Sequence, residues 1–138
     1  MSITLIEPHG GRLVNLLADS SDFSALKNES NEYPSWTLTD RQICDLELLL
    51  NGAFSPLNGF MTKNDYESVL ESMRLIDGTL WPIPITLDVS DQFAEEIKGR
   101  EKITLRDKEG FALALLTVSD IWQPDFEKEA SAVYGTTD

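Results

Sequence analysis

The residue types that carry most enzyme chemistry are scarce in this chain. There is one cysteine, Cys44, and one histidine, His9. A zinc site of the His/Cys type takes about four donors, which that pair cannot supply. A Ser-His-Asp relay through His9 has serines and aspartates to draw on. It has no Gly-x-Ser-x-Gly elbow to present the serine. His9 is therefore read as a surface or turn residue. Cys44 falls inside an apolar helical pattern and reads as a small core thiol, not a nucleophile. Gly10-Gly11-Arg12 sets two backbone N–H groups beside a cation, which suits an anion. The competing reading is a tight turn before a strand. It is favoured, because the pattern is not a phosphate-binding P-loop.

The remaining cluster is apolar. Phe54, Leu57, Phe60 and Met61 fall within eight residues. Ser55, Pro56, Asn58 and Gly59 between them prevent a strand or a helix. A small domain has little interior room for all four side chains. At least one of them, with Phe60 or Met61 foremost, is expected on a surface that docks on another domain. The competing reading is a plug that fills the domain's own core.

The elements that position this loop follow from patterning. Thr39 with Gln42 three residues later is a capping box, and Ile43, Leu46, Leu49, Leu50 and Ala53 form one helical face. Asn51-Gly52 stops that helix. Thr62 caps a second helix with Tyr66, Val69, Leu70 and Met73 on its inner stripe. Upstream, Pro8-His9-Gly10-Gly11 gives a turn and Leu13–Leu17 a short strand. Residues 19–35 read as a polar surface excursion with Phe23 and Leu26 tucked inward.

Asp77-Gly78 marks a turn. From Leu80 to Val89 the period is two, with Trp81, Ile83, Ile85, Leu87 and Val89 on one face. That predicts a strand, and Pro82 and Pro84 confine its first half to an edge or bulge. Asp91 is read as the cap of a short helix through Ile97. Lys102–Arg106 and Phe111–Val118 flank a turn and predict a hairpin. Pro124 opens a last helix, Asp125 to about Val133, ended by Gly135. The sum is an α+β fold: a small sheet or barrel with helices grouped around it.

Length and charge narrow the function. The 138 residues fit a single domain, 1–138. No stretch approaches the roughly 20 apolar residues of a membrane span. The first residues lack a basic region and a long apolar run, so no signal peptide is expected. One cysteine suits a reducing cytoplasm. Lys and Arg total 11 against 24 Asp and Glu, a net charge of −13. That balance repels nucleic acid and anionic membranes, so neither is expected as a partner.

Long strings in the chain carry a family resemblance. Asp40-Arg41-Gln42-Ile43-Cys44-Asp45-Leu46-Glu47, with Asn51 through Met61, resembles the N-terminal domain of ATP sulfurylase (sulfate adenylyltransferase). Pro8-His9-Gly10-Gly11, Asp65 through Val69, Leu75 through Ile85, and Val133 through Asp138 agree in order and spacing. The resemblance covers almost the whole chain. It implies a PUA-like β-barrel, or a strongly bent mixed sheet, with helices packed outside.

The resemblance also implies where the chemistry lies. In that family sulfate attacks the α-phosphate of ATP, giving adenosine 5′-phosphosulfate and pyrophosphate in sulfate assimilation. Such transfers depend on positioning and charge stabilisation. The family holds those groups in a catalytic domain, within Gln-x-Arg-Asn, His-x-x-His and Gly-Arg-Asp segments. None of the three occurs here. No catalytic, cofactor-binding or metal residue is therefore carried over. ATP with Mg is the parent enzyme's substrate, and no cofactor is expected in this domain. The expected partner is the catalytic domain, absent from this chain, with a homo-oligomer possible in the parent. The alternative is a stand-alone PUA-like module that binds RNA or a protein.

Overall fold

A capping box starts the central helix. In a computed structural model, which describes residues 5–135, the Thr39 hydroxyl accepts from the Gln42 N–H. The Gln42 side chain accepts from the Thr39 N–H in return. Met1–Thr4 and Thr136–Asp138, which entered the readings of both ends, lie outside the described residues. Helix α2 then runs Asp40–Leu50, preceded in the chain by α1, Phe23–Ser30. Gln42 is buried and reaches further. Its Oε1 accepts from Trp36 Nε1, and its Nε2 donates to the Asp88 carbonyl at 2.6 Å. One polar side chain thus ties the start of α2 to two distant segments.

Helix α3, Lys63–Ser72, is capped by Thr62 and buries Tyr66, Val69 and Leu70. Met73, the fourth residue of the predicted stripe, is instead exposed. It ends the helix in the left-handed conformation, at φ 55°. That turns its side chain off the helical face. Helix α4, Asp91–Glu96, is capped by Ser90 and not by Asp91, because the Ser90 hydroxyl accepts from the Phe93 N–H; α5, Phe126–Tyr134, is capped by Asp125.

The sheet has three strands: β1 (Ser35–Thr37), β2 (Lys102–Arg106) and β3 (Ala112–Thr117). β2 is central, parallel to β1 and antiparallel to β3, with an irregularity between Leu105 and Arg106. The fold is α+β with a mixed, unclosed sheet, not a closed barrel. Two predicted strands are missing from the ladder. Leu13–Leu17 forms no strand, and its N–H groups bond elsewhere: Val14 to Ser55 Oγ and Leu16 to the Leu50 carbonyl. Leu80–Val89, with a bend at Ile83, likewise forms no strand and pairs only through one bridge, Arg74 to Leu80. Pro82 and Pro84 take two ladder donors from it. Its inner face survives in part, since Trp81 and Ile85 are buried while Ile83 is exposed.

Two apolar clusters make the core. One joins Leu49, Leu57, Met61, Val69, Leu75, Trp81 and Ile85. The other lies under the sheet and holds Leu38, Leu46, Phe93, Ile97, Ile103 and Leu105. Phe60 packs against both. The region read as a polar excursion contains α1, whose Phe23 is exposed and whose Leu26 is half-buried. Its anchor is Ser30, whose carbonyl accepts from buried Thr104 Oγ1 at 2.6 Å. Among the described residues no helix is long and apolar enough to cross a membrane.

Candidate docking surface

The loop after α2 is held from three sides. Ser55 Oγ donates to the Gly52 carbonyl and accepts from the Val14 N–H. The Phe54 N–H bonds to the Leu48 carbonyl, and the Met61 N–H to the Ile85 carbonyl at 2.8 Å. The arm that includes Val14 lies directly on the loop. Gly52, at φ 87°, leaves no space for a Cβ, which would meet the Val14 oxygen at 2.7 Å. Gly10, at φ 72°, sits equally tight against Pro56. Both positions need glycine because of close approach as well as backbone conformation.

The four apolar side chains of the loop divide into two pairs. Leu57 and Met61 are core residues, at 6% and 4% exposure. This corrects the expectation that placed them, Met61 prominently, on a docking surface. The physical reason is the Met61–Ile85 backbone bond, which draws the loop's end under the 81–85 segment beside Val69. Phe54 and Phe60 are half-buried. Phe54 stands edge-on to Trp81, with ring centroids 5.7 Å apart at 83°. Such edge-to-face pairs are a preferred aromatic geometry.

His9 is exposed in a short 3-10 turn, as its reading anticipates. Its Nε2 lies 2.7 Å from the Leu80 carbonyl. A carbonyl only accepts, so Nε2 carries the hydrogen. The ring also lies 6.0 Å from that of Trp81. Cys44 is exposed, not a core thiol. It follows Ile43 on α2, and one residue rotates the helix by about 100°, enough to leave the buried face. Among the described residues no group of three His, Cys, Asp or Glu side chains is placed to hold a metal ion.

Sequence reasoning passed over a groove of about 730 Å³. The 86–91 segment, α4 and the chain from Leu116 to Phe126 form its walls. Phe60, Leu87, Val89, Val118 and Trp122 supply apolar lining, while Asp88, Asp91, Glu95 and Asp120 supply carboxylates. Tyr66 sits against Trp122, rings 5.7 Å apart, and its hydroxyl donates to Glu129 Oε2. Burial first, then that bond, push the Tyr66 hydroxyl pKa well above its ordinary value. The Nε1 groups of Trp81 and Trp122 are buried without an acceptor among the described residues. Of its lining, Phe60, Leu87 and Val89 stand out in the sequence as apolar positions, as does the pair Ile121-Trp122 in an otherwise polar connection.

The fold has a family. The sequence matches the family described as PUA-like domain over residues 6–138, and the chain belongs to it. The relatives it resembles within that family are sulfate adenylyltransferases. It is 51% identical over 130 residues to the one from Kluyveromyces lactis, covering 92% of this chain and 26% of the relative. It is 48% identical over 130 residues to the one from Saccharomyces cerevisiae, covering 92% and 25%. Among solved structures it is similar to the hexameric APS kinase from Thiobacillus denitrificans. That match has a TM-score of 0.78 and 47% identity over 87% of this chain and 24% of the other. The chain therefore spans about a quarter of the length of the proteins it matches.

Proposed function

We propose that this chain is the N-terminal, non-catalytic domain of a sulfate adenylyltransferase. It packs on and supports the catalytic part that converts ATP and sulfate to adenosine 5′-phosphosulfate and pyrophosphate. One observation carries the reading: about half of its residues are identical to sulfate adenylyltransferases over nearly its whole length, but over only a quarter of theirs. The sequence holds none of the segments in which the family places its ATP and sulfate contacts. Phe54 and Phe60 are the loop residues that face the partner, with Leu57 and Met61 holding them from beneath.

The rest of the reading follows from charge and likeness. The parent binds ATP with Mg outside this domain and works in the cytoplasm, where Cys44 stays reduced. The hexameric state of the similar Thiobacillus denitrificans protein supports a homo-oligomeric parent. A net charge of −13 disfavours the RNA-binding alternative, which needs clustered cations.

The test is pyrophosphate release by the purified chain with ATP, magnesium and sulfate. The reading predicts none above the blank. Turnover proportional to the chain's concentration would overturn it.

A further inference from the structure

We propose that the groove between α4 and the Leu116–Phe126 segment receives a segment of the sulfate adenylyltransferase polypeptide outside this chain, with apolar anchors between lysines or arginines. This rests on the reading just given and names the partner's chemistry. The groove's lining is apolar, with the side chains of Phe60, Leu87, Val89, Val118 and Trp122 gathered on it. A pocket lined this way favours apolar anchors.

The charges around it are one-sided. Four carboxylates and one lysine line the groove. The lysine, Lys98, is already paired with Glu95. Asp88, Asp91 and Asp120 are exposed and form no ion pair with any described residue. None of the three carboxylates has an ion-pair partner, although Asp120 accepts from the Lys63 N–H at 2.8 Å, and on an apolar groove they select against acidic segments and favour basic ones. The length comparison leaves room for such a segment, since about three quarters of each matched relative lies outside the region this chain matches.

The probe is a short capped peptide in which Leu and Val alternate with Lys, titrated into the 138-residue chain. A counterpart with Glu for Lys is the control. Backbone amide shifts in the chain are followed by NMR. The expected result is saturable shifts confined to residues 86–98 and 116–126, with the Glu peptide silent. The double variant Asp88→Asn, Asp91→Asn weakens binding roughly two- to thirtyfold, the span of two exposed ion pairs. Glu32→Gln, Glu109→Gln removes the same charge away from the groove and leaves the affinity unchanged. Shifts scattered over the surface, equal weakening by both double variants, equal binding of both peptides, or no binding at millimolar peptide would each overturn the proposal. A seated Lys peptide together with adenylyltransferase turnover by the chain alone would instead keep the groove and remove the non-catalytic reading.

Discussion

The Tyr66 hydroxyl donates a 2.7 Å hydrogen bond to Glu129 Oε2, joining α3 to α5. Tyr66 is 3% exposed, so ionising it would leave a phenolate buried beside a carboxylate. Its pKa is raised above the ordinary tyrosine value of 10.0, first by burial and then by Glu129. The unfolded chain therefore loses this proton first. Stability from the pair is full below about pH 10 and is lost as pH rises beyond it. Tyr66→Phe should lower the melting temperature at neutral pH yet flatten its decline above pH 10. Tyr33 shifts in the same direction through its bond to Glu29, so the difference between variant and wild type is the readout. Parallel declines would show that Tyr66 does not govern the alkaline limb.

Trp81 is the second test of the core. It is 7% exposed, contacts Phe54 edge-on, and lies among Leu57, Met61 and Val69. Trp81→Ala should cost roughly 3–5 kcal/mol, the range for removing a large aromatic from a core. Trp81→Phe should cost less, because the lost indole N–H has no acceptor. Urea denaturation measures both. An unchanged midpoint for the alanine variant would contradict the packing described.

Gln42 separates a cap from a hub. Thr39→Ala removes one capping acceptor and should cost about 1 kcal/mol. Gln42→Ala leaves the Thr39 N–H, the Trp36 Nε1 and the Asp88 carbonyl without their partner. Part-buried polar groups left unpaired cost roughly 1–3 kcal/mol each. The glutamine variant should therefore be clearly the less stable, and equal losses would show that Gln42 acts only as a cap.

Local chemistry was legible in the sequence wherever one short pattern decided the outcome. Thr39 with Gln42, Thr62, and the hairpin around Asp107–Gly110 all form as their residue types dictate. Patterns that depend on distant partners were not. Leu13–Leu17 is apolar enough for a strand, yet Ser55 and Leu50 take the N–H groups of Val14 and Leu16. The Trp81–Val89 stretch keeps much of its buried face without a ladder, because prolines leave the side-chain period intact while removing donors. The brief strand β1 was hidden in polar surroundings, and only its pairing with β2 creates it. The site divides the same way. Nothing local separates Met61 from Phe60, which sit side by side, but the Ile85 carbonyl draws Met61 into the core and leaves Phe60 half-buried. The groove itself is assembled from segments dozens of residues apart, which no single stretch announces.

The most direct measurement of the central claim uses the Saccharomyces cerevisiae sulfate adenylyltransferase with its matching 130 residues removed. The truncated enzyme is produced with and without this chain, and pyrophosphate release is assayed in the soluble fraction. The domain assignment predicts that the chain co-purifies with the truncated enzyme and raises its soluble, active yield. Phe60→Asp should weaken that rescue. A truncated enzyme whose yield and rate are the same with or without the chain, and which does not retain it, would contradict the assignment.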